Sequence, residues 1–211
     1  MSDSRAHGTG SGGTTAVLLA AGAGTRLGLG PKALLTFHGR TLVEVLADVL
    51  LAGGCREVVV VLGADAARVR AATDLGRHRV IDNPHWASGM GSSFRAGIAA
   101  AAPEDHVLIA LVDQPGLTTE TVARLLTSHR PGRVTAAAYR DADGKLQRGH
   151  PLLLDAGLRT EAAETATGDA GARHFLRANP DLVYLVDCSD LSGGEDLDSA
   201  DQLHLLDQRR F

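Results

Sequence analysis

Aromatic residues make up only 3% of the 211-residue sequence, so its core must be assembled from Val, Leu, Ile and Ala. Cysteine is nearly absent. Cys55 and Cys188 have no nearby Cys or His at metal-ligand spacing and read as buried or incidental thiols, in keeping with a reducing compartment. There is no basic excess: 21 Lys and Arg stand against 25 Asp and Glu, for a formal charge of −4. That balance excludes a general nucleic-acid binder but leaves room for one phosphorylated small molecule held by local cations. No run approaches the roughly 20 apolar residues of a membrane span. The opening stretch MSDSRAHGTGSGGTT lacks the apolar centre of a signal peptide. Residues 1–14 therefore read as a disordered polar lead, residues 15–211 as a single domain, and the expected location is the cytoplasm.

What the sequence does have is an alternation of apolar runs and helical stretches. TAVLLAA (Thr15 to Ala21), REVVVVLG and HVLIALVD are continuous apolar runs, the pattern of strands buried on both faces. Between them, TLVEVLADVLLAGG sets Leu42, Val45, Leu46 and Val49 at helical spacing and stops at Gly53-Gly54. Further helices are expected at ADAARVRAA, SSFRAGIAAAA and TTETVARLLTSH, and further strands at HRVID, RVTAAAY and LVYLVD. This order predicts an α/β fold, a Rossmann-like three-layer sandwich with a mostly parallel central sheet. Ligands in such folds bind at the carboxyl ends of the strands. RDADGKLQR (Arg140 to Arg148), a polar turn around Asp143-Gly144, is expected to lead to a return strand in a small excursion from the main sheet.

The first strand runs into a long loop of small residues, Gly22-Ala23-Gly24-Thr25-Arg26-Leu27-Gly28-Leu29-Gly30-Pro31-Lys32. A dinucleotide fingerprint would open a helix at once through G-x-G-x-x-G. Here the glycine spacing is one residue too long, and Pro31 interrupts any such helix. A P-loop would need Gly-Lys-Ser/Thr, which the loop lacks. What remains is a loop whose backbone N–H groups can converge on phosphates, with Arg26 and Lys32 adding positive charge. Asp113 ends a central strand, where a carboxylate points into the ligand crevice and can serve a hard cation.

The stretch LAAGAGTRLGLGPK (Leu19 to Lys32) resembles the L-A-A-G-x-G-x-R-x-G…K signature of nucleotidyltransferases with a Rossmann-like fold. From about Val17 to Leu203 the chain is most similar to the MocA branch, the molybdenum cofactor cytidylyltransferases. The resemblance implies a nucleotide site at Ala20, Ala21, Gly22, Ala23, Gly24, Thr25, Arg26 and Lys32. Asp113-Gln114-Pro115 matches the family's D-x-P triplet and would hold Mg²⁺. EDLDSADQL matches a second acidic segment through Asp196 and Asp198, while Ser199, Ala200 and Gln202 depart from it. Asp198 is the favoured second ligand, with the alternative that it only caps the last helix. On the acceptor side the resemblance points to Asn83, Gly91, Ser92, Ser93, Arg148, His150 of a G-H-P triplet, and Arg173 of GDAGAR.

The implied reaction is Mg²⁺-dependent transfer of CMP from CTP to the phosphate of molybdopterin, with a molybdoenzyme receiving the product. Arg26, Lys32 and Asp113 would be its catalytic residues. Related guanylyltransferases tend to read A-G-G where this chain has Ala20-Ala21-Gly22, which favours CTP over GTP. Sugar-1-phosphate and other acceptors stay open. So does an NAD(P)H-dependent oxidoreductase using the same loop, with Arg68 meeting a 2′-phosphate. A non-catalytic nucleotide-binding partner of a molybdoenzyme is the third possibility.

Overall fold

The computed structural model describes residues 12–25 and 27–207. Residues 1–11 of the polar lead and Arg26 lie outside them. The elements are β1 (Thr14–Ala20), β2 (Thr36–Phe37), β3 (Arg40–Thr41), α1 (Leu42–Ala52), β4 (Glu57–Leu62), α2 (Ala66–Ala72) and β5 (Arg79–Asp82). There follow α3 (Met90–Ala100), β6 (His106–Leu111), α4 (Thr119–Ser128), β7 (Val134–Arg140), β8 (Leu146–Leu154), α5 (Arg159–Glu164), α6 (Arg173–Ala178) and β9 (Val183–Asp187).

Seven strands form one sheet in the order β5-β4-β1-β6-β8-β7-β9. β1 pairs in parallel with β4 and with β6, β4 with β5, and β7 with β9. β8 alone runs against its neighbours, antiparallel to both β6 and β7. The return strand is thus no excursion. It is wedged into the main sheet, because its apolar half, Pro151 to Leu154, is buried and needs cover on both faces. The small β2–β3 hairpin stands apart and leads into α1.

Side chains of the strands alternate between two core layers. Leu18, Val58, Val60, Leu62 and Leu108 pack with Leu42, Leu46 and Leu50 of α1 and with Val122 and Leu125 of α4. Val17, Val59, Val61 and Ile109 pack on the other face with Phe94 and Ile98 of α3, Ala162 of α5 and Phe175 of α6. Phe94 and Phe175 are the largest fully buried side chains and lie in this second layer, while Phe37 and Tyr139 are buried in the first. Cys55 and Cys188 are free and buried, and burial pushes the Cys55 thiol up to about 12. Among the described residues no helix is long and apolar enough to cross a membrane.

Candidate active site at the glycine loop

β1 and β6 are neighbours at the centre of the sheet and end together, with Leu19 facing Leu111. Beyond β1 the chain enters the glycine loop. Gly24, Gly28 and Gly30 all have positive φ, at 64°, 66° and 86°, the region that favours glycine. At Gly24 the need is double, because a Cβ there would lie 2.0 Å from the Gly30 carbonyl oxygen. The loop is therefore folded back on itself across Gly24 and Gly30. Above Gly22 a Cβ would meet nothing within 4 Å, and Arg68 Nη1 lies 3.4 Å from the Cβ position of Gly30. Trp86, 36% exposed, packs its Cβ and Cγ over Gly63 beside Ala21.

Pro31 ends the loop and Lys32 opens a short 3-10 turn, Lys32–Leu34. This turn aims the amine back under the loop. Lys32 Nζ donates to Asp113 Oδ2 at 3.0 Å and to Asp198 Oδ1 at 2.7 Å, with its side chain 14% exposed. Burial opposes the ammonium form, but the bonds to Asp198 and Asp113 outweigh it and raise the lysine above its ordinary value. Three segments distant in sequence thus meet at one amine.

Asp198 is held in place by the chain around it. Leu197 is fully buried and its N–H donates to the Asp113 carbonyl at 2.7 Å. The following 3-10 helix, Ala200–Leu206, is capped by Ser199 with Gln202, and Gln202 Oε1 accepts from the backbone N–H groups of Asp198 and Ser199. The capping alternative for Asp198 is therefore corrected: Ser199 caps, and the Asp198 carboxylate turns to Lys32. Asp196 accepts from Gln114 Nε2 at 2.8 Å. Burial of its carboxyl, together with Asp113 and Asp198 nearby, raises its pKa against the pull of Gln114. Asp113 Oδ1 is buried and has no hydrogen-bond partner. Two hard carboxylates side by side, one with an unpartnered buried oxygen, form a donor set that fits a hard divalent cation with phosphate oxygens.

The expected acceptor residues divide. Asn83 is buried and donates to Ser92 Oγ at 2.8 Å and Ser93 Oγ at 2.9 Å, while its Oδ1 accepts from the His85 N–H. Ser92 Oγ in turn donates to the carbonyls of His85 and Gly89. These three side chains make a knot that fixes the turn carrying Trp86. The helix α3 begins at Met90, two residues before the expected start, with Gly89 as its N-cap. Gly91 is a close approach, its Cβ position 3.0 Å from the Thr167 N.

Arg148 and His150 lie within β8 rather than before it. The register with β7 slips between Ala136 and Ala138, opposite Leu152 and Arg148, so Gly149, His150 and Pro151 bulge from the ladder. A bulge re-aims side chains, and His150 lines a crevice with Gln114, Tyr139, Ser192 and Glu195. Tyr139 hydroxyl donates to the His150 carbonyl. Burial first, and Arg148 second, lower the imidazole to about 4, so it is neutral at physiological pH. Arg173 opens α6 and is exposed. Tyr139 and Glu195 escaped the sequence reading, and Gln114 entered it only as the middle of the Asp113-Gln114-Pro115 triplet, because only the antiparallel placement of β8 brings these residues to His150.

Residues 16–183 match the MobA-like NTP transferase domain. The chain belongs to that family. Within it, the chain is 59% identical over 194 residues to the nicotine blue oxidoreductase of Paenarthrobacter nicotinovorans, covering 91% of this chain and 95% of that one. Two solved structures share the fold of this MobA-like chain. A nucleotidyl transferase from Methanothermobacter thermautotroptrophicus superposes with TM-score 0.77 at 26% identity, over 92% of this chain and 96% of that one. The manganese complex of Rv0371c from Mycobacterium tuberculosis superposes with TM-score 0.72 at 26% identity, over 93% and 100%.

Proposed function

We propose that this MobA-like chain is a Mg²⁺-dependent nucleotidyltransferase that binds a triphosphate, with CTP favoured, in the loop Ala20 to Lys32. The observation that carries this reading is the convergence of Lys32, Asp113 and Asp198 at 2.7–3.0 Å at the carboxyl edge of the sheet. A divalent cation held by Asp113 and Asp198 would neutralise phosphate oxygens there. Lys32, held charged, would balance the growing charge of the leaving pyrophosphate, together with Arg26. The loop amides would position the phosphates. An anionic phosphate on the acceptor then attacks the α-phosphorus in line: one P–O bond forms, the bond to the bridging oxygen breaks, and no base is required. Neutral His150, with Asn83, Gly91, Ser92, Ser93, Arg148 and Arg173, belongs to the acceptor side of this reading. Molybdopterin is the acceptor that the motif resemblance supports, in the MocA manner.

A second reading is favoured by a different observation. The 59% identity extends over nearly the full length of a protein named as an oxidoreductase, far above the 26% shared with a nucleotidyl transferase of known structure. In this reading the loop holds the pyrophosphate of NAD(P)H, Arg68 beside Gly30 meets a 2′-phosphate, and the exposed Trp86 face borders the reduced substrate. One pair of assays separates the two. Pyrophosphate release from CTP that requires Mg²⁺ and acceptor supports transfer, and Lys32→Ala and Asp113→Ala should each lower it at least a hundredfold while circular dichroism stays unchanged. NADPH oxidation in the presence of nicotine blue, indifferent to chelator and without any pyrophosphate release, would replace transfer by redox chemistry.

A further inference from the structure

The opposite edge of the sheet carries a second group of ligating side chains. His106 opens β6, His129 is the C-cap of α4, and Asp155 directly follows β8. Because β8 runs antiparallel to β6, its end lies beside the beginning of β6, and Val107 pairs with Leu154. Asp155 Oδ2 is 3.6 Å from His106 Nδ1 and 3.4 Å from His129 Nε2. The two imidazole rings meet edge to face with centroids 4.4 Å apart, and one ligand atom from each of the three residues falls within 4.8 Å of the others.

The neighbours fix what each group offers. The Ala156 N–H donates to His106 Nδ1 at 3.0 Å, so that nitrogen carries a lone pair. The Gly157 N–H donates to Asp155 Oδ1, which leaves Oδ2 facing the histidines. His129 Nδ1 lies 3.1 Å from Thr135 Oγ1. The His129 side chain is nine-tenths buried, yet its Nε2 has no hydrogen-bond partner. An unpartnered buried nitrogen is costly unless something binds it.

A tetrahedral ion with N and O ligands at about 2.0–2.1 Å places its ligand atoms roughly 3.3–3.4 Å apart. The two distances from Asp155 are close to that spacing. We propose that His106, His129 and Asp155 bind a zinc-type divalent transition metal, at a site separate from the carboxylate pair of the glycine loop. Imidazole nitrogens suit such ions and not magnesium, which prefers oxygen. Three protein ligands leave a fourth position for water. The ion would take the His106 lone pair from the Ala156 N–H and tie together the ends of β6, α4 and β8.

The test uses the full chain stripped with a chelator and titrated with Co²⁺ in an excess of Mg²⁺ that occupies the carboxylate pair. One equivalent should give the intense visible absorption of a four-coordinate ion, and Zn²⁺ should displace it. His129→Phe keeps the ring volume, and Asp155→Asn keeps an acceptor for Gly157. Each should weaken Co²⁺ binding at least tenfold with unchanged circular dichroism. Imidazole NMR signals of the wild-type chain supply a readout that needs no variant: Zn²⁺ should shift those of His106 and His129. Absence of the absorption band, or histidine signals indifferent to Zn²⁺, would overturn the site.

Discussion

At position 24 a positive φ of 64° coincides with a Cβ position 2.0 Å from the Gly30 carbonyl oxygen. Alanine in the left-handed region costs roughly 1–2 kcal/mol, and here the opposing group is backbone, which cannot rotate away. Gly24→Ala should therefore lower the unfolding midpoint measurably and weaken nucleotide binding more than it weakens the fold, as thermal melts with and without ligand would show. His150 gives a prediction of opposite kind. Its imidazole titrates near 4 in the folded chain and near 6.5 when unfolded. Between those values the unfolded state binds the additional proton, so stability rises with pH from about 4 to about 6.5. His150→Gln should flatten that part of the stability curve measured by urea unfolding; an unchanged slope would refute the depressed value. At this scale the glycine loop, Lys32 and Asp113 were legible, because phosphate chemistry restricts residue type and spacing within a short stretch. The bulge that aims His150 was not, since a register slip depends on the partner strand.

Helix α1 shows how a local signal survives folding. Thr41 is its N-cap, and a capping box links it to Glu44: the Thr41 N–H donates to Glu44 Oε2 at 2.9 Å. Glu44 Oε1 also accepts from the Asp74 N–H, so one carboxylate joins α1 to the segment after α2. Burial would raise the Glu44 pKa, but the bonds from Thr41 and Asp74 outweigh it and hold it below the usual value. A depressed carboxylate contributes stability that is present above the unfolded pKa and is lost as pH falls through the folded one. Thr41→Ala should cost about 1 kcal/mol. Glu44→Gln should remove part of the acid-induced loss below the ordinary glutamate range, which denaturant melts at several pH values would detect. Strands buried on both faces were equally plain from their apolar runs. The placement of β8 was not, for a strand that is polar in its first half and apolar in its second states no preference between edge and interior. Nor did spacing reveal His106, His129 and Asp155, which lie up to 49 residues apart (155 − 106) and meet only through the antiparallel return.

Across the whole molecule the candidate site depends on a strap that crosses from β9 back to the sheet centre. Leu197 is the anchor of that strap. It is fully buried in the layer containing α1 and α4, and its N–H holds the Asp113 carbonyl at 2.7 Å. One residue later Asp198 reaches Lys32, so the packing of a leucine positions a carboxylate. Replacing a buried leucine by alanine costs on the order of 2–5 kcal/mol, of which part here comes from loosening the strap. Leu197→Ala should therefore do two things that a core substitution elsewhere would not do together. It should lower the denaturation midpoint, and under conditions where the variant remains folded it should also lower turnover, because Asp198 is no longer fixed against Lys32. Leu125→Ala, in the same layer but within α4, is the control: a similar loss of stability with turnover retained in the folded fraction. If both variants lost activity only in proportion to unfolding, the strap would contribute stability alone, and the position of Asp198 would rest on its bond to Lys32 and on the Ser199–Gln202 cap.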